Sequence, residues 1–203
     1  MINEDLTPRE RRYERTKDAI LNATRKMIRE GGVESVSMRK IAQEIDYSPA
    51  GLYEYFGSKE EIIGVLCRMA GDRLERYMKA VDASLPIPQR LVELGMAYIK
   101  FAVENREEFL LLFTYLSNPP QKPGETTTPV GSFLVLLQTV QEAIDSGFIQ
   151  NAPFDAFAIS YSAWALVHGM AMLQITALKN DPSSFESINR WTLEQFVKGL
   201  HTP

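Results

Sequence analysis

Cysteine, histidine and long hydrophobic runs are scarce in this sequence of 203 residues. It has one cysteine, Cys67, and two histidines, which excludes an internal disulfide and a structural zinc finger. Apolar runs such as residues 133–137 are far shorter than the roughly 20 residues of a membrane span. The N-terminal residues MINEDLTPRERR carry charges where a signal peptide has an apolar stretch. With 45% hydrophobic and 24% charged residues, we expect a soluble globular protein of a reducing compartment, the cytoplasm.

The charges are distributed unevenly along the chain. Residues 7–40 contain ten Lys or Arg and five Asp or Glu, a net charge of +5, whereas the whole chain has a net charge of −4 and the remainder therefore −9. A basic end on an acidic body is typical of a segment that meets phosphates. The alternative is a solvated, charged helix.

Helix signals dominate the sequence, and strand signals are nearly absent. A small polar residue precedes proline as a predicted N-cap at Thr7-Pro8, Ser48-Pro49, Thr128-Pro129 and Asp181-Pro182. Capping boxes are predicted at Thr7–Glu10, Ser58–Glu61 and Asn105–Glu108, and helix stops at Gly31-Gly32, Gly57 and Gly147. These signals predict an all-α fold with helices over about 8–30, 38–45, 49–55, 59–82, 88–104, 106–117, 129–146, 153–179 and 183–200. The stretch 117–128, rich in Pro and Thr, is predicted to be a mobile loop.

Two short consecutive helices, joined by Asp46-Tyr47-Ser48, indicate a helix-turn-helix. The second of them begins with small residues, as a helix entering a major groove does, and continues with the Tyr53 hydroxyl, which can reach a phosphate. Lys59 opens the next helix, where its ammonium and the helix N-terminus can hold a phosphate together. The alternative is a hairpin that merely packs, with Tyr53, Tyr55 and Phe56 in the core. The predicted DNA-binding residues are Ser37, Arg39, Lys40, Ser48, Pro49, Ala50, Gly51, Tyr53, Tyr55 and Lys59.

These motifs resemble the TetR (tetracycline-repressor-like) family of transcriptional regulators over about the first 65 residues. The resemblance rests on Ile20-Leu21-Ala23, Gly31-Gly32, Ser37-Met38-Arg39-Lys40-Ile41-Ala42, Ser48-Pro49-Ala50-Gly51-Leu52-Tyr53-Glu54-Tyr55-Phe56 and Ser58-Lys59-Glu60-Glu61. One departure is Asp46, where the family often has glycine, although aspartate tolerates the left-handed conformation. The resemblance implies a homodimer that reads a double-stranded DNA operator. It also implies a DNA-binding domain, 1–58, followed by an effector-binding and dimerisation domain, 59–203.

The helix predicted over 153–179 is apolar nearly all round and must be covered on both sides. The predicted dimerisation residues are a stripe of small side chains on this helix and two aromatic residues on the last helix: Ala158, Ser162, Ala165, Gly169, Trp191 and Phe196. In the family the two final helices pair with their symmetry mates as a four-helix bundle. The alternative is a purely intramolecular core.

The sequence Trp164-x-x-x-His168-Gly169 resembles the signature of one TetR-type C-terminal subfamily, named after Trp-His-Gly. A spacing of four places the indole and the imidazole on one helical face. A lone histidine on an apolar face is also common as a hydrogen-bonded core residue.

An effector pocket is predicted where the helix 59–82 meets the middle helices. Its residues are Cys67, Tyr77, Phe101, Phe109, Phe113, Trp164 and His168, which equally suit a plain core. Because no Arg or Lys cluster is placed to face such a cavity, we expect a small, largely hydrophobic molecule rather than a phosphorylated metabolite.

The sequence lacks the motifs of common enzymes: HExxH, GxSxG and a Gly-rich phosphate loop. We therefore expect no enzymatic activity, no cofactor and no metal site. The expected function is that of a dimeric, effector-responsive repressor with a palindromic operator. A DNA-binding regulator without an effector, and an activator, remain alternatives.

Overall fold

A computed structural model describes residues 7–116, 131–150, 154–181 and 183–201. Helices account for all regular structure in this part of the chain, as predicted. They are α1 (Pro8–Gly31), α2 (Met38–Glu44), α3 (Pro49–Leu52), α4 (Lys59–Lys79), α5 (Ile87–Glu104), α6 (Arg106–Leu116), α7 (Gly131–Asp145), α8 (Ala156–Ile175) and α9 (Glu186–Leu200), with a short 3-10 helix at Val33–Ser35. The predicted cap at Thr128-Pro129 and the predicted loop 117–128 lie outside the described residues.

Local capping explains the boundaries of the N-terminal helices. Thr7 and Glu10 form the predicted capping box at the start of α1, and α1 ends where Gly32 adopts a φ of 73°. The Ser37 hydroxyl accepts the Lys40 N–H at 3.3 Å at the start of α2. After α2 the chain turns at Asp46, whose φ of 52° lies in the left-handed region that aspartate adopts more readily than most residues.

Helix α3 is shorter than the predicted 49–55. The Ser48 hydroxyl accepts the Gly51 N–H at 2.9 Å, as the predicted N-cap requires. Beyond Leu52, the N–H groups of the next three residues bond to carbonyls three residues back rather than four. The chain therefore leaves α3 through a tight 3-10-like turn.

The chain divides into two compact units. The described part of the first unit comprises 7–69 and 110–116, and that of the second comprises 70–109 with the described residues after 130. The first unit extends past residue 58 because Ile62, Ile63 and Leu66 of α4 are buried in its core. That core also contains Ile41, Ala42, Leu52 and Phe56 of the short helices and the turn that follows them.

In the second unit, α5 packs against α7, α8 and α9. These helices approach one another closely at Gly95, where an added Cβ would lie 2.8 Å from Leu193 of α9 and 3.2 Å from Val167 of α8. Only glycine lets the three helices come this near without repacking. Across the α5–α9 contact, Arg190 donates to the Glu93 carboxylate at 2.5 Å.

Several predicted boundaries are wrong because the groups expected to cap a helix have other partners. Asn105 does not cap α6, since its side-chain oxygen accepts from the Arg73 guanidinium at 3.1 Å instead. Asp181 accepts the Ser183 N–H in a turn, and α9 begins only at Glu186. Helix α8 begins after Asp155, whose carboxylate accepts the Ala158 N–H at 2.9 Å. It ends at Ile175 rather than near 179, because the Leu178 N–H bonds back to the Leu173 carbonyl.

Candidate functional site

The start of α3 presents small side chains to solvent. Ser48, Pro49 and Ala50 are exposed, and Leu52, on the opposite side of the helix, is completely buried. Tyr53 follows with 58% of its surface exposed. Small, exposed side chains at a helix N-terminus allow that terminus to approach base edges in the major groove, and an exposed tyrosine hydroxyl can bond to a phosphate.

Tyr55 and Phe56 make packing contacts in the first unit. Phe56 is buried in the core of the first unit. The Tyr55 ring stacks on Tyr13 of α1 at 4.7 Å, and its hydroxyl lies 3.4 Å from the hydroxyl of Tyr47. This hydrogen bond raises the pKa of Tyr47, which the nearby positive charge of Arg12 partly opposes. No local pattern indicates that Tyr13, Tyr47 and Arg12 lie beside this surface.

The neighbouring Tyr47 side chain restricts position 51 to a small residue, independently of any contact that this position makes with DNA. A Cβ at position 51 would lie 2.6 Å from the Tyr47 ring. Any larger residue there must displace that ring. Ala50, by contrast, is exposed, so a larger side chain at position 50 would extend into solvent.

The three predicted cationic residues differ in their surroundings. Arg39 is exposed and makes no hydrogen bond or ion pair with any described residue. Lys40 donates to the Ser35 carbonyl at 3.2 Å, which holds its ammonium against the domain. Lys59 is the first residue of α4. The Glu61 carboxylate accepts the Gly57 N–H at 2.7 Å just before this helix, so it partly occupies the helix end that was predicted to assist Lys59.

Five of the seven predicted effector residues lie in the second unit and form a chain of aromatic contacts. Ring centroids are 5.4 Å apart for Tyr77 and Phe101, 6.3 Å for Phe101 and Phe109, and 5.6 Å for Phe109 and His168. Trp164 follows at 6.3 Å from His168. Phe101 and Phe109 have no exposed surface, so the middle of this cluster is buried.

The Tyr98 hydroxyl joins the indole and the imidazole of α8. The Trp164 indole N–H donates to it at 3.1 Å, and His168 Nδ1 lies 3.0 Å away. Because an indole N–H can only donate, the Tyr98 proton is available for Nδ1. Burial lowers the pKa of His168 and raises the pKa of Tyr98, so both are neutral near pH 7. The spacing of Trp164 and His168 predicted a common face but not this shared partner.

The other two predicted effector residues, Cys67 and Phe113, belong to the first unit. The Cys67 thiol is buried in the first core and lies 3.8 Å from the Leu111 carbonyl. Burial raises the pKa of this thiol to about 12, which leaves it protonated and unreactive.

A groove of about 1390 Å³ runs along α5 in the second unit, between the later part of α4 and the connection from α8 to α9. Of the seven predicted effector residues, Tyr77 alone lines it. Its lining contains six cationic side chains: Arg73, Arg76, Lys100, Arg106, Lys179 and Arg190. The groove therefore has the cationic lining that the sequence analysis did not expect at the predicted effector pocket.

The predicted dimerisation stripe lies on an open face of α8. Ser162, Ala165 and Gly169 are exposed and Ala158 is half-buried, and no described atom lies within 4 Å of a Cβ built at Gly169. Trp191 of α9 is 61% exposed, whereas Phe196 is half-buried. Four large apolar side chains are also more than half exposed on these helices: Phe157, Tyr161, Leu173 and Ile188.

Helix α8 also passes the length and composition test for a membrane span, with a mean hydropathy of 1.4. Only 28% of its most apolar stretch is buried. A large exposed apolar face is typical of a surface that binds another protein or a membrane.

Two family models match the sequence. Residues 20–66 match the model described as "Bacterial regulatory proteins, tetR family". Residues 91–196, more than half of the chain, match the model described as "Tetracyclin repressor-like, C-terminal domain".

Individual proteins agree with these matches. The HTH-type transcriptional regulator UidR of Escherichia coli K12 is 35% identical over 68 residues, which span 33% of this chain and 35% of UidR. A Rhodococcus sp. RHA1 protein of unknown function has a similar fold, with a TM-score of 0.74, 24% identity, and coverage of 92% of this chain and 95% of that one. FadR of Bacillus subtilis, solved in complex with stearoyl-CoA, has a TM-score of 0.65 at 16% identity, covering 91% of this chain and 99% of that one.

The Tyr98 hydroxyl generates a stability prediction. Tyr98→Phe keeps the buried ring but removes the oxygen shared by Trp164 and His168, so the free energy of unfolding should fall by about 1–3 kcal/mol. Tyr161→Phe, which removes an exposed hydroxyl, should change it by less than about 0.5 kcal/mol. Urea unfolding of the three proteins measures both values. Equal stabilities would mean that the Tyr98 hydroxyl does not hold α8 to α5.

Proposed function

The chain belongs to the TetR family of transcriptional regulators, and on that premise we propose that it is a cytoplasmic, homodimeric repressor. It binds a palindromic operator and leaves it when a small, largely hydrophobic effector binds. The proposal rests mainly on the exposed surface of α2 and α3. The start of α3 and Tyr53 are exposed, and so is Arg39, whose side chain has no partner among the described residues. The matching families consist of DNA-binding regulators and not of enzymes.

The proposed contacts to DNA fall into two groups. Ala50 and the neighbouring small residues of α3 meet the base edges, where their size permits close approach. Tyr53 and Lys59 meet phosphates, which position the protein without specifying sequence. Arg39 is exposed and unpaired among the described residues, so it is available to either group. Ser37 and Ser48 hold the two helix starts through their caps.

The phosphate role is tested by Lys59→Ala. Removal of a phosphate-binding ammonium should weaken binding to operator and random DNA by a similar factor. It should also reduce the slope of log affinity against log salt by about one for each phosphate that is no longer neutralised. Fluorescence anisotropy across a salt series measures both quantities, with Lys198→Ala, an exposed lysine of the second unit, as the matched control.

Ala50→Leu completes this test, because a larger side chain at the groove face should weaken operator binding and leave random-DNA binding nearly unchanged. An unchanged salt slope in Lys59→Ala would contradict the phosphate role. Equal affinity of the unaltered protein for operator and random DNA would contradict the proposal that it is a sequence-specific regulator.

The open face of α8 and α9 supports dimerisation through these helices. A second copy would cover Trp191 and the small-residue stripe with an equivalent surface, as two-fold symmetry requires. Two reading heads linked in this way match a palindromic operator. The same apolar face explains why α8 resembles a membrane span in composition.

Gly169→Leu tests this interface. The position is open in the single chain, so the variant should fold, but the added side chain should force two α8 helices apart. We expect light scattering to give the mass of a monomer and operator affinity to fall at least tenfold. Gln138→Leu, which adds leucine at an exposed position of α7, should stay dimeric. A folded Gly169→Leu dimer that still binds the operator would place the interface elsewhere.

An effector response is supported by the composition of the second unit. The aromatic cluster around Tyr98 offers an apolar environment with three polar groups, namely the Tyr98 hydroxyl, the Trp164 indole N–H and the His168 imidazole. A mainly apolar lining with a few polar groups is usual for a ligand site. Stearoyl-CoA, with which FadR was solved, contains a long apolar chain. Coupling requires that the effector bind the form of the protein that cannot engage the operator better than the form that can.

Titration of the operator complex tests the effector response. Hydrophobic compounds that raise the melting temperature should also release labelled operator, with a midpoint set by their affinity for the free protein. A compound that stabilises the protein and leaves operator affinity unchanged would instead favour a DNA-binding regulator without this response. A compound that strengthens operator binding would favour activation by a ligand.

A further inference from the structure

We propose that the groove along α5 is a binding site for an organic anion with an apolar body. The proposal goes beyond DNA regulation, because it concerns ligand binding by the protein alone. It also concerns a different set of residues from the aromatic cluster, with which the groove shares only Tyr77.

The carboxylates in the groove lining are mostly bonded already. Glu93 accepts from Arg190 at 2.5 Å, and Glu104 accepts the Tyr77 hydroxyl at 2.7 Å. Asp82 and Asp181 each accept the backbone N–H of a serine two residues later, at 2.8 Å. These contacts orient the four carboxylates, and the contact with Arg190 also balances the charge of Glu93.

Cations in the same lining are less well paired. Arg76 and Lys179 are exposed and make no hydrogen bond or ion pair with any described residue. Arg106 donates through Nε to the Ile175 carbonyl at 2.7 Å, while its Nη1 lies 3.9 Å from Glu107. The whole lining contains six cationic side chains and five carboxylates, the fifth being Glu186, so its net charge is +1. The two exposed, unpaired cations are the groups that favour a carboxylate or phosphate.

The floor of the groove is apolar along part of its length. Met96, Val103, Leu178 and Phe185 line it, and Val103 of α5 is about half exposed. Apolar surface of this kind gains free energy when an alkyl or aryl body covers it. An amphipathic anion satisfies both parts of the groove, whereas an inorganic anion or an uncharged lipid satisfies one.

Calorimetric titration of the unaltered protein with octanoate and with octan-1-ol tests the charge requirement. Octanoate should bind more tightly than the alcohol, which has the same chain without the charge. Removing two exposed cations should weaken octanoate binding about two- to thirty-fold. The double variant Arg76→Gln/Lys179→Gln should show this weakening without a change for octan-1-ol, and Lys198→Gln, outside the groove, should behave as the unaltered protein.

A second variant locates the site independently of these cations. Val103→Glu places a carboxylate on the exposed floor, which should repel octanoate and spare the fold. Because the titrations contain no DNA, their outcome is separate from that of the operator experiments. Equal binding of octanoate and octan-1-ol, or octanoate binding that changes less than twofold in both groove variants, would overturn the proposal.

Discussion

The burial of α3 against α1, α2 and the start of α4 is the constraint on which the DNA-facing surface depends. Four residues cannot form a stable helix in isolation, because a single turn does not repay the cost of nucleation. Helix α3 exists because Leu52 and Phe56 are buried and because Ser48 caps its start. Any disruption of that core therefore disturbs the proposed DNA-binding surface without changing a residue on it.

Sequence signals predicted the structure well where the deciding contact is local. The capping box of α1, the turn at Gly32 and the left-handed Asp46 each depend on residues within a few positions. At Asn105 prediction failed because the Arg73 guanidinium, 32 residues away in sequence, occupies the side-chain oxygen that a cap would use, and no local pattern contains that partner. At Asp181 a competing local turn with Ser183 replaced the predicted cap.

The candidate sites show the same division. The exposed small residues of α3 follow from helix geometry and were predicted. The stacking of Tyr55 on Tyr13 joins residues 42 positions apart in the chain, and the groove cations come from well-separated segments of the second unit. Similarly, the spacing of Trp164 and His168 indicated a shared face, whereas the Tyr98 hydroxyl between them required the packing of α5 on α8.

The contact between Gly51 and Tyr47 restricts the order in which DNA preference can evolve. While the Tyr47 ring occupies the space beside position 51, a side chain acquired there disturbs the fold and the reading surface together. A smaller residue at position 47 relieves only part of that conflict, because the Ser48 hydroxyl that caps α3 would also lie 2.9 Å from a Cβ at position 51, and it gives up the hydroxyl contact with Tyr55. Changes at position 51 therefore carry a structural penalty that changes at the exposed position 50 do not.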